Sequence, residues 1–154
     1  MPKRPAHRVR RRPPFFHPVP LRTRCDGWSE ARQCAFLAQL YVTGSVTAAA
    51  RSVGLTRASA YRLRARGDAE SFAHAWDMVL TPPGTGRSAA PKPDFRKVTN
   101  SALVRRIETG LIQPLLYRGR MTEIRRKADN SALFRLLRRG DATAGRALCE
   151  AMKE

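Results

Sequence analysis

The chain has 154 residues, 30 Lys+Arg against 12 Asp+Glu, a net charge of +18 and 42% apolar residues, enough for one small core with tails. No apolar run approaches the roughly 20 residues of a membrane span, and no apolar stretch follows the basic start, so neither a span nor a secretory signal is expected. Three cysteines (Cys25, Cys34, Cys149) and three scattered histidines (His7, His17, His74) offer neither a disulfide framework nor metal-ligand spacing. No phosphate-binding Gly-rich loop precedes a Lys-Ser/Thr pair, and the acids read as helix-start and surface charges. The expectation is a non-enzymatic, cytoplasmic protein without cofactor or metal, nucleoid-associated when on DNA. The basic excess is nearly all arginine, whose flat fork matches phosphates and base edges, so double-stranded DNA is the first partner to consider.

Residues 1–24 hold eight basic residues, no acid and six prolines. Such a segment buries too little apolar surface to offset its ordering, and is expected to be a disordered basic arm. Arg8, Arg10, Arg11 and Arg12 are its candidate phosphate contacts.

Residues 25–80 carry six basic and five acidic residues. Ser29 is placed to cap a helix whose stripe is Phe36, Leu37, Leu40 and Tyr41, ended by Gly44. SVTAAARSVGLTRASAYRLRARG then reads as two short helices around Val53-Gly54-Leu55, a helix-turn-helix. Its core positions, Ala49, Val53, Leu55, Ala60 and Leu63, are all apolar. Ala50 lies where the helices cross, Gly54 where the turn needs positive φ, and Thr56 is an N-cap. In the second helix Ala58, Tyr61, Arg62 and Ala65 point away from Ala60 and Leu63. Arg57 and Arg66 flank that face and Ser59 sits at its first turn. Arg62 is assigned to a base edge, and Tyr61, Arg64 and Arg66 to phosphates. Asp68 is a candidate cap for a last helix, in which Phe72 and Trp76 join Trp28, Phe36 and Leu40 in the core.

Residues 81–98 read as a linker. In 99–139, Asn100 or Ser101 caps a short helix ended by Gly110. Residues 112–117 and 121–126 pair through Arg118-Gly119-Arg120, with Pro114 holding the first strand at an edge. Such a hairpin alone is marginal, so it needs the 131–138 helix or another subunit. Arg105, Arg106, Arg125, Arg126, Lys127, Arg138 and Arg139 are either a second nucleic-acid surface or a solvated face. Residues 140–154 are a tail or helix. The fold class is mainly α: a small helical domain, a linker, and a C-terminal α region with a β-hairpin.

The string from Trp28 to Arg66, with Trp-Ser, Phe-Leu, Thr-Gly, the Ala-Ala-Ala run and Thr-Arg-x-Ser-x-Tyr, followed by SFAHAWDMVL, resembles the DNA-binding domain of phage terminase small-subunit-like proteins. The resemblance covers 28–80. The part Ser-Ala-Tyr-Arg is also similar to recombinase and resolvase helix-turn-helices. A fainter likeness over 103–139 rests on Gly110-Leu111, Pro114, Tyr117, Arg118-Gly119-Arg120 and the Leu-Phe-Arg-Leu-Leu helix. It implies recognition of viral DNA for packaging, or a chromosomal relative of phage origin, with the C-terminal region supporting homo-oligomers and docking to a packaging motor. This chain departs in its long basic linker. Two other readings stand beside it: a transcriptional regulator with the same module, and an assembly adaptor that binds an acidic protein.

Overall fold

In a computed structural model the chain is described at residues 9–22, 25–84 and 97–151, with side chains as far as Asp141. Arg8, most of the expected linker and the last three residues lie outside the described residues. The elements are α1 (Glu30–Thr43), α2 (Val46–Ser52), α3 (Arg57–Arg64), α4 (Glu70–Leu80), α5 (Asn100–Thr109), β1 (Leu111–Tyr117), β2 (Arg120–Lys127) and α6 (Asn130–Ala151). The fold is mainly helical, with one two-stranded antiparallel hairpin. It divides into two compact units: the described residues up to Gly84 with Leu111–Arg126, and the rest.

In the first unit local chemistry sets the helix limits. Ser29 accepts the Arg32 amide to start α1, Ser45 the Ala48 amide to start α2, and Thr56 the Ser59 amide to start α3. Between α2 and α3, Gly54 takes φ +74°, which a side chain adopts only under strain. The Leu55 amide turns back to the Ala50 carbonyl at 2.9 Å. The core is Cys34, Phe36, Leu37, Leu40, Ala49, Ala50, Ala60, Leu63, Phe72, Trp76 and Val79, with Trp28, Val46 and Val53 packed at its edge. The rings of Trp28, Phe36, Phe72 and Trp76 meet at 4.9–6.4 Å, mostly edge to face or tilted. The N-cap of α4 is Ala69, which offers no side-chain cap; Asp68, expected to cap the helix, lies one residue earlier and pairs with Arg66.

Two segments depart from expectation. Residues 9–22, expected to be disordered, are laid on the core. Pro13, Phe16, Pro18 and Val19 are buried. Phe16 exchanges both backbone hydrogen bonds with Ile112 of β1 at 2.9 Å. Val19 exchanges amide and carbonyl contacts with the side chain of buried Gln33, at 2.8 and 3.1 Å. The hairpin also belongs to this unit. Ile112 is part of its core, and Leu116, Met121 and Ile124 pack against it. Within its own unit the hairpin is supported by α1 and the 9–22 segment. The turn has Arg118 at φ 49° and Gly119 at 77°, the hand that matches strand twist.

The second unit is built on α5 and α6. Thr99, not Asn100 or Ser101, caps α5, accepting the Ala102 amide. Gly110 ends it at φ 70°, ψ −167°, a conformation open essentially to glycine alone. Asp129, buried, accepts the Ala132 amide at 3.0 Å and starts α6. Among the described residues Leu103 and Ala132 are the unit's buried apolar side chains. Arg139 donates to the Val98 carbonyl at 2.6 Å and the Asn100 side chain at 2.9 Å, tying α6 to the start of α5. The helix expected over 131–138 continues to Ala151.

Candidate nucleic-acid interface

α3 is held from three sides. Ala60 and Leu63 bury its inner face. At its first turn, Ser59 Oγ accepts the indole N–H of Trp28 at 2.9 Å. Near its end, Arg64 makes a two-pronged contact with Asp77 of α4 at 2.6 and 2.9 Å and lies 5.1 Å from the ring centroid of Trp76. A helix of eight residues has little stability of its own, so these contacts fix its position.

What α3 turns outward is Arg57, Ala58, Tyr61, Arg62 and Ala65, all exposed. Ala58 and Ala65 lie near the middle of this face and add no bulk. Tyr61 rests against Trp76 at 5.3 Å between ring centroids, and the Arg57 guanidinium covers it at 5.5 Å. Tyr61 nonetheless stays exposed. Arg62 forms no hydrogen bond or ion pair with any described residue, so its fork is available.

The sequence-assigned residues thus separate. Thr56, Arg57, Ala58, Tyr61 and Arg62 gather on or beside one exposed face. Ser59 points inward to Trp28. Arg64, assigned to phosphate, is bound to Asp77, and its half-buried ion pair is a fold contact. Arg66, also assigned to phosphate, is paired with Asp68 at 2.9 Å, and that hydrogen bond raises its pKa. The Arg66–Asp68 pair joins residues two apart, although sequence reasoning assigns Arg66 to phosphate and Asp68 to a helix cap. The Arg64–Asp77 pair joins separate helices and left no local signal.

The arm residues separate as well. Arg10 donates from Nη2 to the Val42 carbonyl at 2.9 Å and from Nε to that of Tyr41, both at the end of α1. A cation there meets the negative end of the helix dipole. The Arg11 amide bonds the Val79 carbonyl at 3.2 Å, and its Nε reaches the Pro82 carbonyl at 3.3 Å. Arg12 is exposed. Of the C-terminal cations, Arg126 pairs with Glu30 at 2.6 Å, and Arg139 holds α5 as described. Arg105, Arg125 and Arg138 remain exposed. Sequence reasoning missed this division of the arginines between fold and surface.

Among the described residues no group of three or more His, Cys, Asp or Glu is placed to hold a metal ion, and no helix is long and apolar enough to cross a membrane. Burial pushes the Cys34 thiol up to about 12, with Glu30 adding to the effect, so it stays protonated. Cys25 is exposed.

No family model matches the chain, and neither a curated protein nor a solved structure is found similar to it.

Proposed function

We propose that this is a non-enzymatic protein that binds double-stranded DNA, with α2, the Gly54 turn and α3 acting as a helix-turn-helix. The observation that carries the reading is the outward face of α3, where an uncommitted Arg62 stands beside two alanines while Arg64 and Arg66 are neutralised by acids. Small residues let the helix approach the groove floor, and Arg62 can donate both prongs to guanine O6 and N7. Arg57 and the Tyr61 hydroxyl take phosphates at one edge, in place of Arg64 and Arg66. Arg12 adds a phosphate contact from the 9–22 segment. The resemblance over 28–80 makes viral DNA recognition of the terminase small-subunit type, or a chromosomal relative of it, the first biological role. Transcriptional regulation is the second. In a cell such a protein resides in the cytoplasm, on the nucleoid. An adaptor role draws support from a different observation, the exposed Leu133, Phe134 and Leu137 of α6, which favour a protein contact. Fluorescence anisotropy with a mixed-sequence duplex, titrated at several salt concentrations, tests the proposal. Binding that weakens linearly in log salt is expected. No binding at low salt would overturn it.

A further inference from the structure

The turn of the β-hairpin is built from a pair that chain reversal alone does not favour. Two-residue loops with positive φ at both positions are best served by Asn-Gly, Asp-Gly or Gly-Gly. Here the pair is Arg118, at φ 49°, and Gly119, at 77°. Among the described residues Arg118 is the one non-glycine with positive φ. An arginine held there carries strain that asparagine or glycine would avoid, and strain of this kind collects where a side chain is used.

The side chains around the turn form a small basic tip. Tyr117, Arg118, Gly119 and Arg120 are all exposed, Tyr117 by 63%. The Arg118 guanidinium lies over the Tyr117 ring, 5.3 Å from its centroid. Stacking of this kind restrains the long side chain while its N–H groups can still donate. Neither the Arg118 nor the Arg120 guanidinium makes a hydrogen bond or ion pair with a described residue. Residues 111–127 hold five basic residues and one acid, Glu123, so the hairpin attracts anions. It belongs to the same unit as α3: Ile112 is part of the shared core, and Leu116, Met121 and Ile124 pack against it.

We propose that this tip is a second contact with the DNA backbone, in which Arg118 and Arg120 each hold a phosphate and the Tyr117 ring positions Arg118. The flat fork of arginine meets phosphate oxygens with two parallel hydrogen bonds. A protein partner fits the tip less well. Protein contacts are built around an apolar centre, and the one apolar surface here is the Tyr117 ring, with Arg118 over it. Phosphate contacts add affinity without base preference. The inference rests on the DNA reading of this unit and involves neither α5 nor α6.

The test is fluorescence anisotropy of the full chain with a mixed-sequence duplex at several salt concentrations, beside thermal melting. Arg118→Asn supplies a residue that the turn favours, so its melting midpoint should hold or rise while binding weakens. Arg118→Asn/Arg120→Gln should flatten the slope of log K against log salt by about two and lower affinity roughly tenfold per arginine near 0.1 M salt. Sites selected from a random library should keep the wild-type base preferences. Arg105→Gln/Arg138→Gln removes the same charge from α5 and α6 and should leave the slope unchanged. A wild type that binds no duplex removes the DNA reading and this proposal with it. A wild type that binds, with a tip variant that binds equally well, overturns this proposal alone. So does a control that flattens the slope as much, an Arg118→Asn midpoint that falls, or a changed base preference in the tip variant. Loss of polyglutamate binding with duplex binding intact would assign the tip to an acidic protein instead.

Discussion

Arginines of the same sequence neighbourhood have different fates, and each fate has a measurable consequence. Arg64 gives up its fork to Asp77 and its flat face to Trp76. Arg64→Ala is expected to lower stability by about 1–2 kcal/mol in chemical denaturation, because charge-assisted hydrogen bonds in a half-buried site are lost. Arg10→Ala should likewise act on stability and leave the salt dependence of DNA binding unchanged. Arg12→Ala should do the opposite, flattening the slope of log K against log salt by about one. If Arg10→Ala flattens the slope as much, Arg10 exchanges its helix-end carbonyls for phosphate on binding. The thiols give a separate check. Cys25 is exposed, whereas Cys34 is buried with its pKa raised to about 12. Alkylation mapped by mass spectrometry at neutral pH should modify Cys25 first and Cys34 only on unfolding. Alkaline pH carries a signed prediction too: a raised folded-state pKa contributes stability below the ordinary thiol range and loses it as pH rises toward 12. Cys34→Ala should remove that part of the alkaline loss.

The elements whose limits were written in the sequence are those controlled by neighbours in the chain. Ser29, Ser45 and Thr56 cap the helices that follow them, and Gly44, Gly54 and Gly110 lie at breaks in the chain. Ala49, Ala50, Ala60 and Leu63, placed by helical spacing, are buried. Contacts between remote segments were not legible. Residues 9–22 look disordered by composition, since prolines and arginines dominate the average. The outcome is decided by contacts of Pro13, Phe16 and Val19, whose partners are 14 to about 100 residues away. The hairpin was placed correctly in the chain, but its contacts with α1 and the 9–22 segment left no local signal, for the same reason. The two special glycines should differ in cost. At Gly54 a Cβ would meet nothing within 4 Å, so Gly54→Val pays for backbone strain alone, roughly 1–3 kcal/mol. At Gly110 a Cβ would stand 2.7 Å from the Lys127 carbonyl oxygen, in a conformation closed to side chains. Gly110→Ala should therefore cost more than Gly54→Ala, as read from melting midpoints. The reverse order would mean the Gly110 corner relaxes freely.

At the scale of the whole molecule, the sequence boundary at residues 25–80 divides a core that the fold closes with Phe16, Val19 and Ile112. A fragment of 25–82 should therefore unfold readily, and Phe16→Ala in the full chain should cost about 3–5 kcal/mol. A cooperative, stable 25–82 fragment would show that the strap and hairpin are accessories. The candidate DNA face was readable from spacing in α3, but which arginines are left to serve it emerged only from the tertiary ion pairs. The central claim is that the exposed arc of α3 reads bases. The most direct measurement is selection of duplexes from a random library by the full chain and by Arg62→Ala, sequenced in parallel at one stated salt concentration. The account predicts that the wild type enriches a defined site containing a guanine, and that Arg62→Ala keeps the flanking preferences, loses selectivity at that guanine and binds the site about 1–3 kcal/mol more weakly. Identical enriched sites and affinities for the two proteins would contradict it, and α3 would then be the second arm of an ordinary helical hairpin.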